Sequence, residues 1–191
     1  MRFGESSLTP GPVREARGAV MTLEKDEVRL RELCEGFRRA IELARDDGSF
    51  DGDPRFSRFP RGCCGPTSDL LGQYLECQGI ATWRIDGTFY SDWIDPDFDP
   101  RHKQTHSWLT NVDPLNDSDY LILDITGDQF KHDEGFLCYS IPSYVGRMDE
   151  FHSMFEFDYR RSVSRCTGIY CDDGSEETWR SGLFQTVMEY C

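Results

Sequence analysis

Three short motifs hold the residue types of thiol chemistry, and they follow one another in a usable order. Gly62-Cys63-Cys64-Gly65 opens a helical stretch, Thr105-His106-Ser107-Trp108 comes next, and Leu123-Asp124-Ile125-Thr126 follows. A thiol attacks only as its thiolate, so it needs surroundings that favour the anion and a base to take the proton. An imidazole can be that base, and a carboxylate can fix the imidazole's tautomer and orientation. Cys64, His106 and Asp124 are therefore the candidates for nucleophile, base and orienting group. Taken singly, a histidine or a tryptophan is more often a packed core residue, so the weight rests on the three together.

These residues need elements to position them. Leu70, Leu71, Tyr74 and Leu75 recur at helical spacing, Pro66 suits a first turn and Gly79 a stop, so a helix is expected from about Pro66 to Gln78. Cys64 then stands at a helix N-terminus, where free N–H groups and partial positive charge lower a thiol pKa and can hold an oxyanion. Cys63 is the rival nucleophile, one position away. Cys64 is favoured, and Cys63 is assigned to the substrate side of the site.

Segments 80–90, 105–111 and 119–125 have the β-branched and aromatic content of strands. A hairpin centred near Leu115 pairs His106 directly with Asp124, bringing their side chains within reach. Trp108, two residues after His106, shares its face and is expected to wall the substrate and exclude water. Upstream, Val28, Leu30, Leu33, Cys34, Phe37, Ile41 and Ala44 mark an amphipathic helix over 22–47, closed by Gly48. Residues 1–21 read as a flexible leader and 22–191 as a single catalytic domain, while 139–191 are too mixed to assign. N-terminal helices followed by an antiparallel sheet make an α+β fold.

With these motifs in place, the chain resembles the transglutaminase-like superfamily of papain-like thiol enzymes, close to uncharacterised bacterial members. The resemblance covers roughly residues 60–130 and rests on Cys64 at a helix start, His106 with Trp108 on one strand, and Asp124 with Thr126 on the next. Tyr74-Leu75-Glu76-Cys77-Gln78-Gly79-Ile80 is similar to the family's leucine-rich helix closed by Gly-Ile, and the doubled cysteine departs from its usual single one. The resemblance implies a papain-like core and a Cys-His-Asp triad of Cys64, His106 and Asp124, without fixing the reaction. Gln129 receives no secure role from it and is read as a strand-end hydrogen bond.

A net charge of −14 argues against nucleic acid, whose phosphates need clustered Lys and Arg, and favours cationic or neutral partners. No stretch approaches the ~20 apolar residues of a membrane span and no signal-peptide core opens the chain, so a cytoplasmic location is the expectation. Eight cysteines without an export signal are expected as reduced thiols. No metal or cofactor is expected: Cys166 and Cys171 with His102 or His152 match no common zinc spacing. Asp92, Asp95, Asp97 and Asp99 form an acidic loop that lacks the glycine and the bidentate glutamate of a calcium site.

The expected activity is hydrolysis, deamidation or acyl transfer at a peptide, protein or small-molecule amide through a thioacyl-enzyme. The alternative is a non-catalytic acidic binding or immunity-type protein on the same fold, using its charge to dock a basic partner.

Overall fold

The computed structural model describes residues 23–90, 103–131, 138–158, 161–166 and 175–191; the expected leader and the acidic loop 92–100 lie outside them. Among the described residues the chain is α+β, with four α-helices and a five-stranded antiparallel sheet. Its helices are α1 (Leu23–Asp46), α2 (Cys64–Cys77), α3 (Glu150–Ser153) and α4 (Ser175–Met188). Its strands are β1 (Thr82–Tyr90), β2 (Lys103–Thr110), β3 (Ile122–Asp124), β4 (Tyr144–Gly146) and β5 (Val163–Cys166), in the order β4-β3-β2-β1-β5. None of the described helices is long and apolar enough to cross a membrane.

The apolar spacing of α1 is what buries it. Leu30, Cys34, Phe37, Ile41 and Ala44 fall on one stripe, and all five are buried. Gly48 ends the helix at φ +88°, a left-handed conformation that costs glycine nothing, and Gly79 does the same after α2 at φ +76°. The stripe packs with Leu70, Leu71 and Leu75 of α2 and Leu183, Phe184 and Val187 of α4 against Leu109 and Leu123 of the sheet.

Both sheet faces are covered, so β2 reads as five consecutive buried residues from His106 to Thr110. Leu109 points to the helices, while Trp108 joins a second cluster with Ile85, Ile122, Phe130, Phe151 and Phe155. The segment the sequence left unassigned supplies Phe151 and Phe155 to that second cluster. Gly87 of β1 makes it possible, because a Cβ there would lie 2.7 Å from Phe155 and 2.8 Å from Trp108.

Segment 47–63 looks polar in sequence, yet Phe50, Phe56 and Phe59 pin it to the core. Asp53 Oδ1 caps its short 3-10 turn, accepting from the N–H groups of Arg55 (2.8 Å) and Phe56 (2.9 Å). The cysteines are thus delivered by a fixed loop.

Arg38 of α1 fastens the helix layer to the turn after β3. Its buried guanidinium donates to Ile125 O (2.7 Å), Pro142 O (2.6 Å) and both oxygens of Asp128 (2.8 and 2.9 Å). Replacing it with methionine keeps the bulk but orphans two carbonyls and a carboxylate, so urea unfolding should show a loss of about 3 kcal/mol. A loss below 0.5 kcal/mol would mean that the guanidinium does not hold this turn.

Candidate active site

Cys64 is the first residue of α2 and Cys63 is its N-cap. One position on a helix turns a side chain by about 100°, and here it separates two environments. Cys63 is fully buried in the core cluster, donates from Sγ to Pro60 O at 3.2 Å, and has its pKa pushed up to about 12 by burial. The structure places it in the core, outside the residues that line the cleft. Cys64 is partly exposed and lines a cleft of about 540 Å³ together with Arg61, Gly62, Lys103, Gln129 and Phe130.

The first turns of α2 lie along β2. Ser68 Oγ donates to Ser107 O at 3.1 Å, and Arg84 of β1 holds Asp69 of the helix through two 2.9 Å bonds. This brings Cys64 beside His106, whose imidazole acts on the ionisation of the thiol. Burial works against the thiolate, but the His106 imidazole, the Ser107 backbone and the Gln129 side chain outweigh it, and the thiol pKa falls below its ordinary value.

His106 is fully buried, and its Nε2 lies 2.8 Å from Asp124 Oδ2. The expected contact is present, but by another register. Leu109 faces Leu123 and Thr110 faces Ile122, so the hairpin centres one residue later than Leu115 and Asp124 stands opposite Trp108. Asn111 sets this register, its Oδ1 accepting from Leu121 N–H at 2.7 Å. A shift of two residues preserves the face, and diagonal neighbours on one face are within reach of an imidazole.

The carboxylate of Asp124 is saturated. Oδ1 accepts from Thr126 N–H (2.8 Å) and Thr126 Oγ1 (3.1 Å), and Oδ2 faces two imidazoles, His106 and His152 (3.2 Å). Burial disfavours its charge, but the two histidines prevail and hold it ionised, far below the usual carboxylate range. In turn Asp124 overrides the burial of His106 and raises the imidazole to about 9.

No known family model, curated protein or solved structure matches this chain. The site is therefore read from its own chemistry.

Gln129, set aside in the sequence, sits on the 3-10 turn Gly127–Phe130 and touches both halves of the site. Its Oε1 accepts from Gly62 N–H at 3.2 Å, which leaves its Nε2 to face His106 Nδ1 at 3.0 Å. In the neutral form of His106 that arrangement leaves the Nδ1 lone pair facing Gln129 Nε2 and the Nε2 proton facing Asp124. Trp108 is fully buried with its ring 5.6 Å from that of His106, and it does not line the cleft. The expected substrate contact is replaced by a wall behind the imidazole.

His152, at the third position of α3, is weighed in the sequence only as a zinc ligand. Its Nδ1 lies 2.6 Å from Asp149 Oδ1, and both ring nitrogens face carboxylates, which leaves none for a zinc site with Cys166. The local signal was available: Asp149 is the N-cap of α3, accepting from the His152 N–H at 2.8 Å, and D-x-x-H places that side chain over its own cap. What the sequence could not show is that this turn folds under β3.

His106, Asp124 and His152 each direct one donor atom to within 4.8 Å of the others, a set of types that zinc accepts. Both histidine Nε2 atoms lie within hydrogen-bond distance of Asp124 Oδ2, so the three side chains also form a hydrogen-bonded chain from His106 through Asp124 to His152.

Proposed function

We propose that the chain is a cysteine-dependent amide hydrolase or acyltransferase with a papain-like, transglutaminase-like core. The observation that carries this reading is a partly exposed Cys64 at a helix N-terminus, beside a buried His106 that is itself held by Asp124.

The resting site is an ion pair, with the thiol proton on His106 Nδ1. Thiolate attack on an amide carbonyl forms the C–S bond and a tetrahedral oxyanion. The Cys64 and Gly65 N–H groups at the start of α2 and the Gln129 amide can receive that charge. Collapse breaks the C–N bond as His106 gives its proton to the leaving amine. His106 then takes a proton from water or an acceptor amine as it attacks the thioester, and Sγ leaves as thiolate. No step needs a cofactor.

The protein's net negative charge favours cationic or neutral substrates at long range, whereas the described cleft lining carries Arg61 and Lys103 and no carboxylate. Substrate charge is therefore best left open in a first screen.

Intact-mass analysis after exposure to a small peptide thioester tests the reading. Wild type should gain one acyl group, mapped to Cys64, that water or an added amine removes, and Cys64→Ala should gain none. Acylation that persists in the alanine variant would remove Cys64 from the mechanism. An inert Cys64 would favour the acidic binding protein.

A further inference from the structure

We infer that His152, held as an imidazolium between the Asp124 and Asp149 carboxylates, is a positioning residue that limits how strongly Asp124 holds the His106 proton. This rests on the thiol-enzyme reading above, since His106 is the base in that scheme.

Proton counting supports the charge. A neutral imidazole has one N–H and one lone pair, and a lone pair facing a carboxylate is repulsive. Both ring nitrogens of His152 face carboxylate oxygens, at 2.6 Å (Asp149 Oδ1) and 3.2 Å (Asp124 Oδ2), so both carry protons. Neither acceptor is free to take the proton instead. Asp124 Oδ1 already accepts two bonds from Thr126, and Asp149 Oδ2 accepts from Tyr139 Oη at 3.1 Å while Oδ1 accepts the His152 backbone N–H. Burial opposes the charge on His152, the two carboxylates oppose burial, and its pKa is raised; Asp149 is lowered in turn.

Among the described residues, Cys34 from α1, Tyr139 before β4 and Tyr144 of β4 also face this pair and are kept protonated, each chiefly by burial. The remaining charges are Asp124 from β3, Asp149 at the α3 N-cap, and the Cys64–His106 pair itself.

Two cations then share one Asp124 oxygen, with imidazole ring centres 6.3 Å apart. A second positive charge at that distance weakens the proton affinity of the first. Asp124 raises the proton affinity of His106, and the His152 charge offsets part of that rise. Removing the His152 charge should therefore raise the His106 titration midpoint by about one pH unit.

The test follows ring nitrogen-15 and carbon-13 resonances of the histidines by NMR, in wild type and His152→Gln. Wild-type His152 should show two protonated nitrogens throughout pH 5 to 8, and the glutamine variant should shift the His106 midpoint upward. A neutral His152 at pH 7 in wild type overturns the inference even if the variant fails to fold. An unmoved or lowered His106 midpoint in a folded variant overturns it as well. These signals are independent of turnover: if Cys64 fails to acylate while the His106 midpoint still moves, the enzyme reading fails and the His152 coupling stands.

Discussion

Asp124→Asn should destabilise the protein by about 3 to 5 kcal/mol and lower turnover by about 10³- to 10⁴-fold. The stability figure is that for removing one partner of a buried charge cluster, which here leaves two imidazoles without their shared counter-charge. The catalytic figure is that for an imidazole released from its tautomer, because an asparagine amide can present N–H where the carboxylate presented only acceptors. The two effects separate with pH. Asp124 is depressed in the folded protein, so its contribution is complete above its unfolded pKa of about 4 and is lost as pH falls toward the folded value. Urea unfolding of wild type and variant should therefore differ fully at pH 7, with the gap closing through the acid range. A gap of the same size at pH 3 and pH 7 would indicate a packing effect.

His106→Ala should cost Cys64 about 100-fold in thiolate at pH 7. Burial is the largest influence on this thiol and acts against ionisation; the imidazole is the main influence in the other direction. Without it the pKa rises to at least the ordinary thiol range, and each unit above the working pH removes a factor of ten in thiolate. The loss should not extend to Cys77 and Cys138, which are exposed and lie outside the relay.

The proximity of Cys64, His106 and Asp124 is legible in sequence because each sits in a short local motif. Cys64 follows from a helix start marked by Gly65-Pro66, and His106 and Asp124 from strands with a turn between them. The assumed register missed by two residues at no cost to the contact, since strand faces repeat every two residues. Choosing between Cys63 and Cys64 required the rotation of the helix, which is set by how Phe56 and Phe59 anchor the preceding loop in the core. The papain-like core remains a reading of the motifs, whereas the α+β architecture is observed.

Gln129 and His152 were less legible for different reasons. Gln129 reaches His106 only because the chain turns sharply after Asp124, where a Cβ on Gly127 would lie 2.8 Å from the Asp124 carboxylate. His152 sits in a segment of short elements that fold onto the second sheet face through Phe151 and Phe155. Long-range packing of that kind leaves little periodic trace in sequence.

The most direct test of the account is the pH dependence of iodoacetamide labelling, resolved by cysteine with mass spectrometry, in wild type and His106→Ala. Cys64 should label with a midpoint well below 8.5, far ahead of Cys77 and Cys138 at neutral pH, and should lose that lead in the variant. Labelling of Cys64 in step with Cys77 and Cys138, or unchanged without His106, would contradict an activated thiol at this site.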